Sequence, residues 1–458
     1  MTHSGFTPRQ RRTVILMVIA VIVVFAMLAG VVVTSIQNWE SPPLVVTQPF
    51  VSSLPAPPVT PSPASADVPE EGIWSQVQAA RLFDQIAHQV ETLRGLSPRA
   101  EVPLSFLDER EMITLLRQLY ADRDPEAEWL PYTALGLLPE GAISIRPRPA
   151  AAFYVPDQEQ LYVAIGPQES SADAQTLLAH AYAHALQDQH FDLGAMDARA
   201  TTTDAALAVQ ALVEGDATLL AAFYRYEDLA TADWEHVAEL ALQAEHPSYE
   251  EEPGHSEVWA RLQHFPYTEG HRFARALFQD GGWEALNRAY TDPPRSTEQV
   301  LHPERYLEGR SAPPRVVVPD LGVVLGEGWT MLLEDTLGEF VVGLHLDTLL
   351  PEEMAWQAAD GWDGDTFVVW EHDDGSRVLV WRTIWDSTAD AAEFERALIA
   401  LNTHRYVPAW PVDPPRGLAG RWWETGTGAV CVSRVARYVL TVQAPDVVAL
   451  ANIVEELP

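Results

Sequence analysis

Leu177-Leu178-Ala179-His180-Ala181-Tyr182-Ala183-His184-Ala185-Leu186-Gln187-Asp188-Gln189-His190-Phe191 is a run built on alanine and leucine, with no proline or glycine to interrupt it. Both residue types favour helix, and Ser170-Ser171-Ala172-Asp173 just before it supplies a start signal. The pattern predicts a long helix over 174–190. His180 and His184 are four residues apart, share one face, and can both reach a single ion. The same spacing also fits two packing histidines in an alanine-rich helix. Ala181 follows His180 on the same broad face and offers only a methyl group.

The flanking segments frame this helix. Residues 151–165 read as a hairpin, with Ala152-Phe153-Tyr154-Val155 and Gln160-Leu161-Tyr162-Val163-Ala164-Ile165 around the turn Pro156-Asp157-Gln158-Glu159. Apolar residues recur at helical spacing over 73–94, and a second helix is predicted over 108–120 with Asp108 as its cap. After the histidine pair come an Ala/Leu-rich helix over 201–230 and two more over 267–278 and 282–290. From residue 316 the pattern changes. Strands 366–371 and 377–383 pair across Asp373-Asp374-Gly375-Ser376, followed by a helix at 389–402, strands near 429–443 and a helix at 446–456. The fold class is α+β: a mostly helical domain with a β-hairpin over 72–315, then a smaller α+β domain over 316–458.

The first seventy residues are of another kind. Residues 13–36 carry no charge and would reach about 36 Å as a helix, enough to cross a bilayer with some tilt. Arg9, Arg11 and Arg12 precede this run, and no Lys or Arg follows until Arg81. The positive-inside rule then leaves residues 1–12 in the cytoplasm and exports the rest, as a single-pass protein of the cell membrane. The length of the run favours an uncleaved anchor over a signal peptide. The Pro-rich stretch within 37–71 holds nine prolines and reads as an extended stalk.

A net charge of −36 excludes nucleic acid as a partner and disfavours anionic lipid surfaces. The single cysteine, Cys431, lies in a strand-like setting and excludes an intramolecular disulfide. Trp356, Trp362, Trp370, Trp381, Trp385, Trp422 and Trp423 fit either a recognition surface or a sheet core.

The run 177–191 resembles the active-site helix of bacterial membrane-anchored zinc metallopeptidases of the gluzincin type, in the thermolysin-like clan. There the corresponding stretch reads L-A-H-E-L-T-H-A-L-Q-D-Q-H-F. Ala211-Leu212-Val213-Glu214-Gly215-Asp216-Ala217 resembles that family's third-ligand segment. Further matches are Phe265-Pro266-Tyr267-x-x-Gly270 and Pro294-x-Ser296-Thr297-Glu298-Gln299-x-x-His302-Pro303-x-x-Tyr306-Leu307. The resemblance covers roughly residues 75–315, and its specificity lies in the ordered set of segments.

It implies a zincin-like domain in which His180, His184 and Glu214 hold one zinc ion. It also implies Asp188 and Asp216 as acids able to orient a ligand imidazole, where the residues alone fit solvated or capping carboxylates, and Tyr267 as a stabiliser of a tetrahedral oxyanion, where a packed aromatic fits as well. The departure is Ala181, which stands where the H-E-x-x-H motif has its general base. Losing such a base costs about 10²–10⁴-fold in rate. Because that glutamate is not a ligand, metal binding can outlive it. Thr218 also departs from the acid that many gluzincins carry four residues after the ligand Glu. His190, His264, His271 and His302 read as structural.

The resulting expectation is a membrane-anchored, exported, zinc-binding pseudopeptidase that binds a peptide or protein partner in the old cleft or serves as a scaffold. Two alternatives stay open: an active metallopeptidase using another base, and a metal-free surface scaffold.

Overall fold

The computed structural model describes residues 76–119, 121, 124–139, 152–164, 171–245, 257–309, 312–407 and 410–457. The expected anchor at 13–36 and stalk at 37–71 lie outside these residues. Helix α1 (Gln76–Arg94) buries Phe83, Ile86, Ala87 and Val90 at helical spacing. Strand β1 (Leu104–Leu107) leads into α2 (Glu109–Leu119), whose start is a reciprocal cap. Asp108 Oδ1 accepts from the N–H of Arg110 and Glu111, while Glu111 Oε2 accepts from the N–H of Asp108. Helix α3 (Pro125–Ala134) starts on an Asp124 cap.

The hairpin is present as β2 (Ala152–Val155) and β3 (Gln160–Ala164). Its turn closes at Glu159 in the left-handed region, φ 49°. β3 is the central strand, antiparallel to β2 and parallel to β1. The third strand was not legible in sequence because β1 is only four residues long and uniformly half-buried. Periodicity needs a longer, one-sided element.

Helix α4 (Ala172–Phe191) starts on Ser171, whose Oγ accepts from the Ala174 N–H, and is buried continuously from Thr176 to Gln187. After α5 (Leu193–Asp197) come α6 (Thr203–Arg225), α7 (Trp234–Glu245) and α8 (Glu257–Ala289). α8 is broken at Gly281 and Gly282, where its two predicted segments meet. Among the described residues α6 alone is long and apolar enough to cross a membrane, and 67% of its most apolar window is buried inside the protein. α6 is therefore a core helix here.

α6 and α8 cross at van der Waals distance. A Cβ on Gly215 would lie 2.1 Å from the carbonyl oxygen of Gly270, and one on Gly270 would lie 2.4 Å from that of Ala211. Only glycine permits this approach, which explains Gly270 in the 265–270 segment.

Short helices α9 (Thr297–Leu301), α10 (Pro303–Leu307) and α11 (Gly322–Leu325) lead to the remaining elements. These are β4 (Trp329–Asp335), α12 (Gly338–Asp347), α13 (Glu352–Ala359), β5 (Trp362–His372), β6 (Arg377–Trp385) and α14 (Thr388–Arg405). β7 (Trp410–Val412), β8 (Arg421–Thr425), β9 (Gly428–Val435), β10 (Tyr438–Ala444) and α15 (Val447–Glu456) follow. The strands form one seven-stranded antiparallel sheet, ordered β4-β5-β6-β10-β9-β8-β7.

Both faces of this sheet are covered. Phe367, Val369, Trp381 and Trp385 pack with Phe394 and Leu398 of α14, while Val368, Trp370, Val380 and Cys431 pack with Leu450 and Ile453 of α15. That is why β5 reads Phe367-Val368-Val369-Trp370 without alternation. Trp362, Trp381, Trp385, Trp422 and Trp423 are core residues, and Cys431 is a buried thiol that burial pushes up to about 12.

The core runs across residue 316, since Leu212 and Phe265 share one cluster with Phe340 and Trp381. Hydrogen bonds follow it. Asp335 accepts from the Thr203 N–H at 2.8 Å and from its hydroxyl at 2.5 Å, and the Asp204 N–H donates to Thr336 O at 3.0 Å. Strand β4 thus holds the N-terminus of α6. Gly338 (φ 83°) faces Asp204 so closely that a Cβ there would lie 1.8 Å from Oδ1.

Gly270→Ala is expected to destabilise the protein by about 1–3 kcal/mol or more, because the helix crossing must open. Chemical denaturation compared with wild type measures this, and an unchanged midpoint would contradict the crossing.

Candidate metal centre

Two helices build the centre. α4 presents His180 and His184 one turn apart, and α6 brings Glu214 against them, all three buried. His180 Nε2 lies 3.0 Å from His184 Nε2, and Glu214 Oε2 lies 3.3 Å from the former and 3.4 Å from the latter. Zinc bonds of about 2.0–2.1 Å at tetrahedral angles require ligand atoms about 3.3–3.4 Å apart. The two edges to Glu214 match that length and the His180–His184 edge is shorter, so the three atoms approximate one face of such a tetrahedron. Two imidazoles and a carboxylate suit such a metal chemically. Burial alone would raise the Glu214 carboxyl, but His184 and His180 outweigh it and hold it well below the usual carboxylate range.

The support of His184 is a hydrogen-bonded chain. Gln187, three residues after His184 on α4, reaches back to the ring, with its Oε1 2.8 Å from His184 Nδ1. The Gln187 amide nitrogen donates toward Val213 O and Asp216 Oδ2, each at 3.1 Å. The amide oxygen therefore faces His184, which donates from Nδ1 and leaves the Nε2 lone pair for a metal. Asp216 is in turn held by Arg94, with Nε to Oδ1 and Nη2 to Oδ2 both at 3.0 Å, and by the Tyr290 hydroxyl at 2.8 Å. Arg94 also lies 4.6 Å from the Trp283 ring centroid.

The residues singled out in sequence fall into two groups. His180, His184 and Glu214 converge. Asp216 acts on His184 only through Gln187, and Asp188 does not reach a ligand imidazole but caps backbone, the other of its two readings. It accepts from the Tyr154 hydroxyl at 2.9 Å and from the Leu193 N–H at 3.1 Å, which ties α4 to the hairpin. Tyr267 is buried with its ring centroid 6.3 Å from that of His180. Ala181 is fully buried and belongs to the apolar cluster of Phe83, Ile86, Tyr154, Leu161 and Val163. Asp173, two turns before His180, pairs with Arg225 and His236. Gln187 and Arg94 were missed. Gln187 lies inside the histidine-bearing run, but Arg94 meets Asp216 across 122 residues and leaves no local signal.

His190 is bonded to Ser97 O, and His271 to Tyr267 O while stacking on Trp234 at 5.1 Å. Burial outweighs the Tyr267 bond and, with Arg272 and Arg275 nearby, pushes the His271 imidazole down to about 4.

A protein-family profile described as a domain of unknown function (DUF8575) matches residues 330–454. That span runs from β4 to α15, the seven-stranded sheet and its helices. No curated protein and no solved structure matches the chain.

Gln187→Leu is expected to weaken metal binding about 10–100-fold by releasing the His184 tautomer, as read by competition with a chromophoric chelator. Unchanged affinity would remove Gln187 from the centre. The His271 contribution to stability is whole above about pH 6.5 and declines as pH falls toward 4, because the folded form resists the proton. Urea unfolding at about pH 7 and about pH 4.5 should show His271→Gln losing about 2–3 kcal/mol less than wild type over that interval.

Proposed function

We propose that this chain is a membrane-anchored, exported, zinc-binding relative of gluzincin peptidases that has lost hydrolysis. The observation that carries the reading is the His180–His184–Glu214 triangle, with edges of 3.0, 3.3 and 3.4 Å, beside an alanine at position 181. The three ligand atoms approximate one face of a tetrahedron and Gln187 holds the His184 imidazole, while the position that would activate water carries a methyl group. Burial of all three ligands favours a resident ion over one that opens to substrate. The uncharged run at 13–36, with arginines on its N-terminal side only, supports the anchor and the exported location. The role that remains is binding: a peptide or protein partner recognised by a fold that the ion stabilises.

Elemental analysis of the purified full chain is expected to find zinc, and His184→Ala should lower the content by one ion per chain. Peptide cleavage by the unaltered chain that a chelator abolishes would overturn the inactive reading. A zinc content unaffected by His184→Ala would overturn the metal site.

A further inference from the structure

A second group of ligand-type side chains lies where the helical half meets the sheet. His302 stands at the bend between α9 and α10, Glu339 in the first turn of α12, and Asp360 just after α13. His302 Nε2 is 2.9 Å from Glu339 Oε1 and 3.9 Å from Asp360 Oδ1, and one donor atom from each of the three lies within 4.8 Å of the others.

The surrounding charge is strongly acidic. Glu304 Oε1 lies 3.8 Å from His302 Nδ1. Arg305 pairs with Glu298 and lies 3.6 Å from Asp360 and 3.5 Å from Asp386. Five carboxylates, Glu298, Glu304, Glu339, Asp360 and Asp386, thus surround one guanidinium and one imidazole. Two of them, Glu298 and Glu339, are buried beyond the reach of solvent counterions. Glu339 is 3% exposed, and its Oε2 accepts no hydrogen bond from the described residues. A buried carboxylate oxygen without a donor is costly, and a bound cation would satisfy it.

We propose that His302, Glu339 and Asp360 form a second divalent-cation site, taking a zinc-type transition ion that staples the helical half to the sheet. One imidazole nitrogen with carboxylate oxygens is a donor set for such an ion and a poor one for calcium, which prefers all-oxygen shells. Arg305 keeps Glu298 and Asp386 as partners. The exposed Asp360 side chain supplies the adjustable ligand, closing the 3.9 Å edge toward the tetrahedral value. This site does not depend on the His180 centre or on any lost peptidase activity.

The test uses the full chain, stripped with chelator and titrated with zinc chloride. In a His184→Ala background one zinc per chain should still bind and raise the melting temperature. Adding Asp360→Asn, at an exposed position, should weaken that binding tenfold or more and abolish the rise. Should His184→Ala fail to fold, Asp360→Asn in the wild-type background decides, with two zinc ions per chain falling to one. No zinc uptake by folded His184→Ala, or uptake indifferent to Asp360→Asn, would overturn the proposal.

Discussion

Helix α6 must bury two carboxylates, Glu214 and Asp216, within three residues, and much of the helical half is arranged to satisfy them. A buried charge without a partner is among the most destabilising features a fold can hold. Asp216 is met by the Arg94 fork, Tyr290 and Gln187, which draws in α1, the residue just after α8, and α4. Glu214 is met by the two imidazoles of α4. Between them Gly215 must lack a side chain, because α8 passes against it at Gly270. Three consecutive residues therefore specify a candidate ligand, a helix crossing and a buried ion pair.

The sheet takes part in the same arrangement. Asp335 at the end of β4 holds the first turn of α6, and Asp365 on β5 accepts from the N–H groups of Leu337 and Gly338 at the start of α12, each at 3.0 Å. Removing the sheet would free the N-terminus of the helix that carries Glu214. The family-matched span 330–454 is thus built into the support of the centre, and the shared core of Leu212, Phe265, Phe340 and Trp381 points the same way.

Metal binding and water activation depend on different residues, so one can be lost without the other. His180, His184 and Glu214 form a closed triangle supported by Gln187, whereas Ala181 sits in an apolar cluster. That division is the physical basis for the proposal of an ion site without hydrolytic chemistry.

The sequence by itself determined what is local. The histidine-bearing helix, the hairpin, the α+β class and the later strand pair across 373–376 follow from propensity, capping and periodicity within short windows. The resemblance located Glu214 but not its neighbours' roles. Only the tertiary structure decided that Asp216 serves His184 through Gln187, that Asp188 serves Tyr154, and that most of the tryptophans form core. It also added β1, β7 and β8, which span three to five residues, and β4, whose seven mostly exposed residues show no alternation. The reason is common to the pairings that escaped the sequence. Arg94 and Asp216, or Thr203 and Asp335, meet across more than a hundred residues, and no local pattern encodes a partner at that distance.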